Sequence, residues 1–109
     1  MEQQDFDRDA WLARIKRTVL EVEPDATVLL YGSRARGDAR PDSDWDFLVL
    51  LDGPVDYERE YRVRYDLYPL EWQTGRVINA IVQSREEWDR VQAKAVSFLG
   101  GIKDEALEL

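Results

Sequence analysis

The chain has 109 residues, 44% hydrophobic and 11% aromatic with four Trp, which suits one domain, 1–109, that buries its own core. Fifteen Lys and Arg against 23 Asp and Glu leave a net charge of −8, which argues against a protein built to grip a polyanion or an anionic membrane, so neither direct nucleic-acid binding nor membrane association is expected. The absence of Cys and His excludes disulfides, thiolate and imidazole metal sites and Ser-His-Asp catalysis, leaving carboxylates, hydroxyls, Arg, Lys and metal ions for any chemistry.

The opening MEQQDFDRD is acidic and carries no apolar stretch, and no run approaches the ~18 apolar residues of a membrane span, so a soluble, cytoplasmic protein is expected. Residues 6–22 set Phe6, Ala10, Trp11, Ile15, Val19 and Val22 against an Arg- and Glu-rich remainder, the pattern of an amphipathic helix ended by Glu23 and Pro24. Ala26 to Tyr31 reads as a short buried strand closed by Gly32. Gly32 to Ser43, GSRARGDARPDS, reads as a turn, one helical turn capped by Ser33, and an exposed loop. Residues 45–52, WDFLVLLD, form a second buried strand stopped by Asp52, Gly53 and Pro54.

A second helix is expected over 56–68, ended or kinked by Pro69. Tyr57, Tyr61, Tyr65, Tyr68 and Trp72 share one stripe of it, for which core packing is the default reading and base stacking or a partner surface the minority one. Arg76 to Gln83 gives a third strand. Ser84 opens a capping-box pattern, and Trp88, Val91, Ala95 and Phe98 mark a third helix stopped by Gly100 and Gly101. The tail from Ile102 to Leu109 is too short to place. The order predicts an α/β (α+β) fold: a small, mixed, three-stranded sheet flanked by helices, with the first two strands antiparallel and a parallel crossover to the third.

Asp44 and Asp46 stand at i and i+2 on the second strand, so their side chains are expected on one face about 6.6–7 Å apart. Two carboxylates side by side, one of them in an apolar run, repel each other and incur desolvation unless a cation lies between them. Oxygen-only ligands with partial coordination suit Mg²⁺. An isolated D-x-D is more often a loop cap beside a solvated strand position, but here Gly32 and Ser33 follow the first strand directly. Glycine lets backbone N–H groups approach a ligand, and a Ser at a helix start adds to an anion site suited to nucleotide phosphates. If the strands pair as a hairpin, phosphate donors and metal ligands converge.

The pattern G-S-x10-D-x-D resembles the signature of the DNA polymerase β-like nucleotidyltransferase superfamily, and the stretch LLYGSRARGDARPDSDWDFLVLLD resembles its minimal branch, the MNT domains. The resemblance implies the nucleotidyltransferase fold, Gly32, Ser33 and Arg34 as nucleotide-binding residues, and Asp44 and Asp46 as catalytic Mg²⁺ ligands. It implies AMP transfer from ATP to a hydroxyl, with a HEPN-type protein partner as acceptor in a toxin–antitoxin pair. Arg36 is a weaker phosphate ligand than Arg34 on this reading.

The sequence departs from the family at one place. Superfamily members present a third carboxylate from the next core strand, and the matching place in RVINAIVQ is Asn79, an amide that takes up no proton and brings no charge. Glu71 substitutes only if the fold brings it close. The rival reading is therefore a catalytically impaired nucleotide- or partner-binding module that neutralises its partner by complex formation.

Overall fold

The structure, a computed structural model, describes residues 7–94 and 105–109. Helix α1 (Arg8–Val22) starts where the Asp7 side chain accepts the Ala10 N–H, and buries Trp11, Ile15 and Val19, one per turn, as the periodicity predicts. Strand β1 (Thr27–Tyr31) leads into the single turn α2 (Ser33–Arg36) and then the central strand β2 (Trp45–Leu51). Helix α3 (Tyr57–Thr74) crosses to β3 (Ile78–Ser84), followed by α4 (Arg85–Lys94) and β4 (Leu107–Glu108). Ser84 caps α4 as anticipated, its Oγ accepting the Glu87 N–H at 3.0 Å. The expected roles of Phe6, Ala95, Phe98 and the Gly100-Gly101 stop fall outside the described residues.

The sheet order is β3-β2-β1-β4. Strand β2 pairs antiparallel with β1 and parallel with β3, as the connections imply. The sheet has four strands rather than three, because the tail adds β4 antiparallel to β1, with Leu107 opposite Leu30 and Glu108 opposite Leu29. Alternation along β2 divides the core. Trp45, Phe47, Val49 and Leu51 join Trp11, Ile15, Val63 and Leu67 in one cluster, while Leu48 and Leu50 join Tyr31 and Trp88 in the other. Among the described residues no helix is long and apolar enough to cross a membrane.

Two expectations about α3 are corrected. Of the two outcomes expected at Pro69, the end at 68 does not occur: the helix runs on to Thr74 and closes with Gly75 in the left-handed conformation, its N–H bonded to the Glu71 carbonyl. Nor is the aromatic stripe core. The buried residues are Val63, Leu67 and Leu70, whereas Tyr57, Tyr61, Tyr65, Tyr68 and Trp72 are 44–86% exposed. At 100° per residue the two stripes lie about 150° apart around the axis, so only one can face the sheet. The smaller aliphatic stripe packs there.

Candidate active site

Tyr31, Asp46 and Asn79 lie side by side across β1, β2 and β3, at one end of the sheet. Asp44 precedes β2 by one residue, rather than lying on the strand, and is exposed; Asp46 is partly buried. The Asn79 side chain joins them. Its Nδ2 donates to Asp44 Oδ2 at 2.9 Å and to Asp46 Oδ1 at 3.1 Å, so a single amide stands where like charges would otherwise meet. Glu71 does not enter this group, since its Oε2 accepts the Ile78 N–H at 2.7 Å and so fixes the start of β3.

The turn after β1 closes on the same place. Gly32 has φ 77°, a conformation that favours glycine, and a Cβ built on it would lie 2.5 Å from Asp46 Oδ2, so any side chain there would also displace the carboxylate. Gly32, not Ser33, is the N-cap of α2; Ser33 is its first residue, and the Gly32 carbonyl accepts the Ala35 and Arg36 N–H groups at 3.0 Å. The Gly-Ser turn and the Asp pair, separate in sequence, therefore converge as the hairpin argument predicts.

Arg34 does not join them in this arrangement. Its Nη2 donates to the carbonyls of Pro41 and Ser43, and its guanidinium stacks 4.3 Å from the ring centroid of Trp45, which belongs to the opposite face of β2 from Asp46. Burial lowers the Arg34 pKa, with the neighbouring charges of Arg76 and Arg8 adding to the effect. Arg36 is the arginine on the turn's other side. It donates to Glu105 Oε1 at 2.9 Å and pairs with Asp38 at 3.3 Å, contacts that raise its pKa.

Sequence reasoning missed Glu105 altogether. Its Oε2 accepts the Gly32 N–H at 2.8 Å while Oε1 meets Arg36, so the tail reaches the turn. Tyr31 lies in the same neighbourhood. Burial first, then the charges of Asp46 and Glu105, push its phenol up to about 12.

The donor set fits Mg²⁺, a cation that binds one or two carboxylates and completes its shell with water and substrate phosphates. Among the described residues no third Asp or Glu joins Asp44 and Asp46 in a metal-holding group. Asp44 and Asp46 are the residues that would hold such a cation.

Asp46 thus packs on the Gly32 turn at one end of a mixed sheet backed by helices. The profile of the nucleotidyltransferase domain family matches residues 12–103, and the chain belongs to that family as an MNT-type domain. It is 28% identical to the probable protein adenylyltransferase MntA of Haemophilus influenzae, across 70% of this chain and 82% of that protein. It is 38% identical, across 58% of each chain, to MJ0604 of Methanocaldococcus jannaschii, which is named a candidate protein adenylyltransferase. A solved structure described as a toxin-antitoxin with AMP-PNP shares the fold at a TM-score of 0.51 and 18% identity, covering 64% of this chain and 55% of that one.

Proposed function

We propose that this domain transfers AMP from ATP to a hydroxyl of a HEPN-type partner protein. The observation that supports the reading is the packing of Gly32 against Asp46, the turn and the carboxylate to which this reading assigns the phosphate and the metal. In this reading the backbone at Gly32 and Ser33 holds the triphosphate, with Arg36 rather than Arg34 as the nearby cation, because Arg34 is held by the Pro41 and Ser43 carbonyls. Asp44 and Asp46 would hold Mg²⁺, which when bound supplies neutralisation of the phosphate charge. The acceptor oxygen forms a bond to the α-phosphorus, the bond to the β-phosphate oxygen breaks and pyrophosphate leaves. The hydroxyl proton passes to an Asp carboxylate, because Asn79 is neutral.

The names of the relatives, both adenylyltransferases, support the reaction class, and the bound nucleotide analogue of the solved toxin-antitoxin supports a nucleotide and a protein partner. The exposed row Tyr57, Tyr61, Tyr65, Tyr68 and Trp72 is the kind of aromatic surface that protein interfaces use. The test is mass spectrometry of the partner after incubation with ATP and Mg²⁺: an AMP adduct that the Asp46→Asn variant cannot make supports the reading, and its absence with the intact domain contradicts it.

Asn79 favours a second reading. An amide bridging both aspartates supports a domain that binds nucleotide or partner without turnover, neutralising the partner by complex formation. On that reading the partner is inhibited by stoichiometric binding of this domain with no ATP present.

A further inference from the structure

The Gly32 N–H and the Arg36 guanidinium are the donors that a phosphate group would use, and both are engaged by one side chain, the carboxylate of Glu105. Gly32 has a single N–H, and its contact with Oε2, 2.8 Å long, fills it. The carboxylate is delivered by the tail. Leu107 and Glu108 pair with β1, the Leu109 N–H donates to the Val28 carbonyl at 2.9 Å, and Ala106 packs on the cluster of Tyr31, Leu48, Leu50 and Trp88. Glu105 thus comes next to the point where β1 ends and Gly32 turns.

We propose that Glu105 is a built-in competitor of the donor nucleotide: its carboxylate occupies the anion subsite of Gly32 and Arg36, and a triphosphate enters by displacing it. The inference rests on the nucleotide-binding reading above and adds its regulation. The two anions cannot share the subsite, because Gly32 offers one hydrogen and a phosphate beside Glu105 would meet a like charge. Strand β4 holds β1 through two residues, a short edge pairing, and the Glu105 side chain is 25% exposed. The affinity measured for nucleotide therefore includes the cost of releasing Glu105, and anything that draws the tail away raises it.

Calorimetric titration of ATP with Mg²⁺ into the full chain and into Glu105→Gln, Glu105→Ala and Glu108→Gln tests this. Glu108, exposed on the same tail, controls for the loss of one negative charge. The expected result is binding about 5- to 20-fold tighter in both Glu105 variants and unchanged in Glu108→Gln. Equal affinity in all four proteins overturns the competition and leaves the nucleotide site standing. A gain shared by Glu108→Gln reduces the effect to net charge, and weaker binding in the Glu105 variants makes Glu105 a part of the site; both overturn it. No binding by any of the four overturns the nucleotide reading and the competition together.

Discussion

The Asp46 carboxylate fills the space that a side chain on Gly32 would need, with Oδ2 only 2.5 Å from the position of a Cβ. This one contact ties the turn after β1 to the strand that carries the aspartates. Gly32→Ala combines a strained positive φ with a displaced carboxylate. Urea unfolding is expected to show a loss of about 1–3 kcal/mol. The larger effect is expected in Mg²⁺-ATP affinity, reduced about tenfold or more because Asp46 must swing away; unchanged affinity would show that the contact does not matter to the site.

Asn79→Asp replaces the bridging amide by a third carboxylate in register with Asp46. Without metal, three neighbouring acids should lower stability by about 1–3 kcal/mol, read by denaturant titration. With Mn²⁺ or Mg²⁺ the order should reverse, the variant binding the ion about tenfold or more tightly and gaining AMP transfer if the amide alone limits turnover. Metal affinity equal to that of the parent protein would remove Asn79 from the account.

The first half of the site was legible because it is local. Gly32 and Asp46 are separated by a short loop between two apolar strands, and a hairpin that sets Tyr31 opposite Asp46 leaves them little choice but to meet. The Trp11, Ile15 and Val19 stripe was legible for a similar reason, having no competitor on its helix. On α3 two stripes share the helical period, and the sequence offers no means of ranking five aromatics against Val63, Leu67 and Leu70; the packing partner decides. In SRAR the resemblance favours Arg34 over Arg36, and nothing in the sequence shows that Trp45 lies under the Arg34 guanidinium while Arg36 meets Glu105. Glu105 was invisible because it meets Gly32 across 73 residues of chain, through a strand too short to announce itself.

Acid sensitivity should come in part from Glu23. Both of its oxygens accept from Arg59, at 2.8 and 2.9 Å, and Arg59 also donates to the carbonyls of Asp52 and Pro54, locking the end of α1 to the start of α3. The Arg59 hydrogen bond holds the Glu23 carboxyl below its ordinary value of 4.5, against an opposing effect of burial. A depressed folded-state pKa contributes stability that is fully present above the unfolded value and is lost as pH falls through the folded one. Arg59→Met is therefore expected to cost about 1–3 kcal/mol at neutral pH. The gap from the parent should shrink as pH falls below about 4.5; a gap constant down to strong acid would exclude the pair as its source.

The α3 stripe carries partner binding in this account. Tyr61 and Tyr65 have ring centroids 5.6 Å apart and both side chains face solvent. Tyr61→Glu with Tyr65→Glu should change stability by about 0.5 kcal/mol or less per site, because no core contact is lost. Binding of the partner, followed by size-exclusion chromatography or calorimetry, should fall about tenfold or more. Full partner affinity in the double variant would move the interface elsewhere on the domain.

The central claim is that the Gly32 turn and the Asp44 and Asp46 pair form one working nucleotide site, and titration of Mg²⁺-ATP into the protein and its Asp46→Asn variant tests it most directly. The account predicts saturable binding that requires Mg²⁺ and is lost in the variant. Binding that survives Asp46→Asn unchanged, or no binding to the parent protein, would contradict it.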